Sequence, residues 1–119
     1  NVEVLGRADW NTCKDYLARA KALIFPGVED FGMVPVEAIA SGTPVLAYAK
    51  GGALETVLEG ETGHFFSEQT ATSINECIDL FEKQGVSCAA VEMRSKAETF
   101  SKENFKEKMG AYIEGRING

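Results

Sequence analysis

Apolar residues in this chain follow two rhythms, short continuous runs and a spacing of three or four, and the two alternate before giving way to the second alone. Val2, Val4 and Leu5 make a short β-prone stretch closed by Gly6. A helical pattern follows, with Cys13, Tyr16, Leu17 and Ala20 on one face; Thr12 and Asp15 compete with Asp9 to start it. Ala22-Leu23-Ile24-Phe25 is a continuous apolar run ended by Pro26-Gly27, as expected of a strand buried on both faces. The next helix is predicted over 34–40, with Pro35 in its first turn, where a missing N–H costs nothing, and Gly42 at its end. Thr43-Pro44 restarts the chain into a third strand, Val45-Leu46-Ala47-Tyr48. The turn Lys50-Gly51-Gly52 leads to a short helix through Leu54, Val57 and Leu58, stopped by Gly60, and Gly63-His64-Phe65-Phe66 reads as a fourth strand.

From Thr70 the spacing is helical only. Ile74, Cys77, Ile78 and Phe81 recur until Gln84-Gly85, a second helix is predicted over 87–100, and a third over 102–117 with Phe105, Met109, Tyr112 and Ile113 inward. Strands alternating with helices imply parallel crossovers, hence an α/β, Rossmann-like three-layer α/β/α domain with about four strands and C-terminal helices. Doubly wound sheets usually have more strands, so one or more βα units are expected upstream of Asn1.

Composition narrows the chemistry. With 119 residues, 45% hydrophobic and 25% charged, the chain reads as one globular domain, residues 1–119. No apolar run approaches the roughly 20 residues a membrane helix needs, and no basic stretch precedes an apolar one as in a secretory signal. The first residue, Asn1, reads as a cut from something longer, and a cytoplasmic location is expected. A net charge of -6 without a basic cluster argues against a nucleic-acid partner, but not against a small anion held by backbone amides. Cys13, Cys77 and Cys88 are odd in number and lack CxxC spacing, which disfavours a disulfide framework or a zinc site. The lone histidine, His64, gives little material for a triad or a metal centre and reads as structural.

In parallel sheets, ligands bind beyond the carboxyl ends of the strands. The segment from Pro26 to Val36 occupies that place, with Glu29 in the loop and Glu37 in the first helical turn. Gly32 lets backbone approach a ligand, and the amides of Met33 and Val34 sit at the positive end of the helix dipole. The result is a cradle for a phosphate with a carboxylate on each side. Carboxylates facing a phosphate would repel it, so they are assigned to neutral hydroxyls, those of a sugar above all.

Glu29-Asp30-Phe31-Gly32-Met33-Val34-Pro35-Val36-Glu37-Ala38-Ile39-Ala40-Ser41-Gly42-Thr43-Pro44-Val45 resembles the paired-glutamate motif of family 4 retaining glycosyltransferases, and the likeness extends from Asn1 through Gly51-Gly52-Ala53-Leu54-Glu55 to Gly60-Glu61-Thr62-Gly63. The details look most like mannosyltransferases of surface-polysaccharide assembly. The resemblance implies the C-terminal donor-binding domain of a GT-B fold, incomplete here, whose N-terminal acceptor domain is a missing partner. It implies that Glu29 is the catalytic carboxylate and, with Phe31 and Gly32, holds the donor sugar. It further implies that Met33 and Val34 hold the distal phosphate, that Glu37 holds the ribose, and that Gly6-Arg7-Ala8 lines the base pocket near Trp10. Lys50 to Ala53 would form a rim loop. The donor is a nucleotide sugar, GDP-mannose or a UDP-hexose. No metal and no further cofactor are implied, and departing phosphate takes the acceptor proton. An Arg and a Lys on the diphosphate would come from a preceding segment, so turnover by this chain alone is not expected. The parent is expected in the cytoplasm, peripheral at the inner face of the membrane.

Each residue also has a plainer reading. Glu37 suits an early helical turn, Glu29 suits a solvated loop, Gly51-Gly52 suits any turn, and Trp10 is expected to cover the core edge. Cys77 reads as a small buried hydrophobe, and the charges of 102–108 as a solvated face whose apolar side favours self-association of the isolated chain. The alternatives to a transferase are a nucleotide-binding or scaffolding module without chemistry, and a GT-B-like sugar-nucleotide epimerase, for which His64 is a poor acid or base.

Overall fold

The computed structural model of the chain describes residues 2–29 and 33–98. The elements are α1 (Trp10–Arg19), β1 (Leu23–Phe25), α2 (Met33–Ala40), β2 (Val45–Tyr48), α3 (Ala53–Thr56), β3 (Gly63–Phe66), α4 (Ala71–Gln84) and α5 (Ala90–Ala97). The strands form one parallel sheet in the order β1-β2-β3, with Val45 facing Leu23 on one side and Gly63 on the other. The helix expected over 102–117 lies outside the described residues, as does the end of the one expected over 87–100.

Alternation along β2 builds the core. Val45 and Ala47 point to one face, where Ala38 and Ile39 of α2, Ala53, and Met93 and Ala97 of α5 bury them. Leu46 points to the other, against Phe66 and Cys77 of α4. Helices therefore cover both faces and the three-layer α/β/α architecture holds, with β2 the strand buried on both sides.

Three strands are present among the described residues, not four. Val2 and Val4 are almost fully exposed and residues 2–6 pair with no strand; a β-prone stretch with no ladder to join has nothing to offset its ordering entropy. β1 also departs from expectation. It is an edge strand, and Ile24 is 43% exposed because α4 covers that face only over β2 and β3.

Helix boundaries follow from identifiable hydrogen bonds. Asp9 caps α1, its carboxylate accepting from Thr12 N–H at 2.7 Å, which settles the competition for the start of that helix. α2 ends where Gly42 takes a φ of 81°, with Thr43 N–H donating to Ala38 O and Gly42 N–H to Ile39 O, a Schellman closure. α3 stops before Val57, short of the expected Gly60, because Thr62 competes for the next turn: its Oγ1 accepts from Leu58 N–H at 2.8 Å. α5 begins at Ala90 because Ser87 and Cys88 donate instead to Gly60 O and Glu61 O. Thr70 caps α4 through Ser73 N–H at 3.1 Å.

Gly63 opens β3 at the tightest approach in the sheet: a Cβ there would stand 1.8 Å from Val45 O and 2.9 Å from Val57 Cγ1. Gly63→Ala is expected to destabilise the chain by about 2 kcal/mol or more, since backbone must move, read as a lowered midpoint in urea unfolding. A second expectation concerns acid. The Thr12 amide holds the Asp9 carboxyl below its usual range, so its capping is complete above the ordinary aspartate pKa and is lost as pH falls through the lowered one. The Thr12 amide resonance should then shift upfield in strong acid, and should not titrate in Asp9→Asn.

Candidate functional site

Parallel strands end together, so the loops after β1, β2 and β3 share one edge of the sheet. The first is residues 26–29, the second 49–52 and the third 67–70. The structure joins the first two. Gly52 N–H donates to the Glu29 carbonyl at 2.6 Å. Gly51 has a φ of 70°, and a Cβ on it would meet Glu29 O at 2.6 Å and Val28 Cγ1 at 3.0 Å. Gly51 is therefore more than punctuation: only a residue without a side chain lies this close to the Glu29 main chain at this φ.

α2 leaves this edge. Its first residues have no intrahelical partner for their N–H groups, and Pro35 has none to offer, so Met33 and Val34 present the outward amides. Met33 is 54% exposed, Val34 less so, while Pro35 and Val36 are buried. Glu37 is the fifth residue of α2, one turn in, because the helix begins at Met33; the expectation of a first-turn position is corrected. Helical side chains lean back toward the N-terminus, so Glu37, half-buried, belongs to the strip of surface beside the helix mouth. Glu29 is exposed at the loop's end.

Phe31 and Gly32 lie outside the described residues, as does Asp30. Arg7 and Ala8 lead into α1. Thr43 Oγ1 donates to Leu17 O at 2.5 Å, fixing the far part of α1 beside the amino end of β2. Arg7 is exposed and Ala8 half-buried, and among the described residues neither hydrogen-bonds to Glu29 or α2. Trp10 is 56% exposed and does not cover the core edge as expected.

His64 is spoken for. It is 3% exposed, with Nδ1 3.0 Å from Glu59 Oε1 and Nε2 donating to Gly85 O at 2.8 Å. Glu59 Oε2 meanwhile accepts from Phe65 N–H. Both ring nitrogens are engaged by neighbours within the fold, so neither is directed at a substrate or a metal. The structural reading of His64 holds. Cys77 is buried and free, its thiol pKa pushed up by burial and, less, by the Glu59 charge, which makes it an inert apolar neighbour. A cleft of about 230 Å³ opens between β3 and α4, lined by Phe66, Ser67, Ser73 and Cys77, and includes none of the predicted residues. Among the described residues no three His, Cys, Asp or Glu side chains gather as a metal site would need.

Comparison with known proteins bears on this arrangement. The family described as "Glycosyl transferases group 1" matches residues 1–104. The chain is 56% identical over 55 residues to the alpha-1,3/1,6-mannosyltransferase alg-2 of Neurospora crassa, covering 44% of this chain and 12% of that protein. It is 34% identical over 94 residues to the human alpha-1,3/1,6-mannosyltransferase ALG2, covering 76% of this chain and 22% of that one. Sucrose-phosphate synthase from Thermosynechococcus elongatus superposes with a TM-score of 0.79 at 28% identity, over 96% of this chain and 30% of that structure. The chain thus spans less than a quarter of the length of these two mannosyltransferases. Matched over most of its length, it belongs to the glycosyl transferases group 1 family.

Proposed function

We propose that this chain is the donor-binding part of a retaining glycosyltransferase that moves a hexose, mannose favoured, from a nucleoside-diphosphate sugar to a glycan or lipid-linked acceptor. The observation that carries the reading is the clamp of Gly52 N–H on Glu29 O beside the mouth of α2. It ties down the loop that bears Glu29, four positions before the first amide of α2, and a carboxylate paired with outward amides is the combination a sugar phosphate needs. The family match and the names of the mannosyltransferase relatives support the sugar-transfer class.

In this reading the amides of Met33 and Val34 hold the distal phosphate, where the helix dipole favours negative charge. Glu29, with Phe31 and Gly32, accepts hydrogen bonds from sugar hydroxyls, and Glu37 from the ribose. Arg7 and Ala8 line the base pocket. Fixed amides stabilise the leaving diphosphate without reorganising, the main electrostatic task of such a transfer. The departing phosphate takes the acceptor proton, so no residue of this chain is asked to act as a base, and neither a metal nor a further cofactor is required. Further cations, the acceptor domain and turnover belong to a longer parent, with a role in polysaccharide or lipid-linked glycan assembly. Among the described residues no helix is long and apolar enough to cross a membrane, and a peripheral cytoplasmic parent is part of the proposal.

Titration of the chain with GDP, GDP-mannose and UDP-glucose by NMR tests this. Glu37→Ala is expected to weaken GDP and GDP-mannose together by about tenfold, a charge-assisted hydrogen bond lost. Glu29→Ala should weaken GDP-mannose alone. Absence of saturable binding, or indifference to both substitutions, would leave a module whose glutamates only cap and solvate. Gly51→Ala should reduce GDP-mannose affinity at least as much as Glu29→Ala and destabilise the fold by about 1–3 kcal/mol, because a Cβ there is both strained and obstructed. Calorimetric unfolding beside the titration separates the two effects.

A further inference from the structure

The loop of Glu29 is held at a second point, from the third strand. Beyond Phe66, residues 67–69 cross the strand ends before Thr70 caps α4. Glu68 N–H donates to Ser73 Oγ at 3.2 Å and Ser73 N–H to Thr70 Oγ1, so the residues on either side of Gln69 are fixed to the helix start. The Gln69 side chain then reaches over the end of β2, and its Nε2 donates to the Pro26 carbonyl at 2.7 Å. Pro26 is the first residue after β1 and Glu29 the last described residue of that loop. Its two anchor points are thus carbonyls three positions apart, one taken by the loop after β2 and one by the loop after β3.

Gly27 lies between these anchors. With only Gly52 holding Glu29, the glycine after Pro26 could rotate and carry the carboxylate off its line; the Gln69 amide removes that freedom at the strand end. An amide donor is what the position requires. A Glu there would present only acceptors to an acceptor, whereas a Lys has comparable reach and donates.

We propose that Gln69 is a positioning residue for Glu29, aligning its carboxylate through Pro26 without touching the ligand; the ligand half of this inference rests on the donor-site reading above. The test compares Gln69→Ala, Gln69→Glu and Gln69→Lys with the parent chain in two measurements. The first is hydrogen exchange at the Gly52 amide, whose acceptor is Glu29 O. It is expected to quicken by about three- to tenfold in the Ala and Glu variants, the worth of one hydrogen bond, and to return near the parent rate in the Lys variant. The second is affinity for GDP-mannose against GDP. The Ala variant should lose about three- to tenfold for the sugar nucleotide and less than twofold for GDP, with Lys restoring the difference. Unchanged Gly52 exchange in Gln69→Ala overturns the inference, and so does equal loss for the two ligands. If the parent chain binds neither ligand, the donor reading fails by itself, and the exchange measurement alone decides whether Gln69 orders the loop.

Discussion

One main-chain hydrogen bond, Gly52 N–H to Glu29 O, ties together the ends of two neighbouring strands, and the shape of the candidate site depends on it. It forms only because β1 and β2 run parallel in adjacent positions, which brings their following loops to the same edge. The approach is this close because Gly51 carries no side chain, whose Cβ would stand 2.6 Å from Glu29 O. The buried centre beneath it supplies the rigidity: Val45, Leu46 and Ala47 are sealed from both faces, so the loops they deliver cannot drift apart without opening the core.

The opposite end of the molecule is organised differently. There Glu59, His64 and Gly85 form a polar chain across the turn before β3, the strand itself and the exit of α4, while the amides of Ser87 and Cys88 return to the carbonyls of Gly60 and Glu61. Every buried side-chain polar atom in that set has a partner, as burial demands. Such a region is suited to holding α5 in register against α2, and its one histidine is a structural tie between segments. On the reading proposed above, the chemistry is left to the edge where Glu29 stands exposed.

Much of this was legible in the residues. The run Gly63–Phe66 begins and ends where the pattern placed it, and Thr70 with Gly85 brackets α4 as capping and φ preferences require. The family likeness named Glu29, the α2 mouth and Glu37 as one constellation, which stands as the proposal made above. What failed was whatever depends on neighbours. Val2 to Leu5 have strand-forming side chains but no ladder to join, and Ile24 has an apolar side chain but no helix over it. The early end of α3 and the late start of α5 were set by hydrogen bonds to Thr62, Gly60 and Glu61 that periodicity does not encode. Gln69 offered no signal at all, since a polar residue before a helix cap looks like any other and its partner is 43 positions away.

The proline in the first turn of α2 carries a quantitative consequence. Pro35 lacks a proton to give and Val36 is enclosed, which leaves two outward donors at the helix mouth among the described residues, Met33 and Val34. Two donors can satisfy a pair of lone pairs on one oxyanion, whereas a pyrophosphate linkage presents several. On the reading proposed above, a diphosphate seated on those two donors would keep most of its negative charge turned toward water, so it would dwell only briefly without further cations.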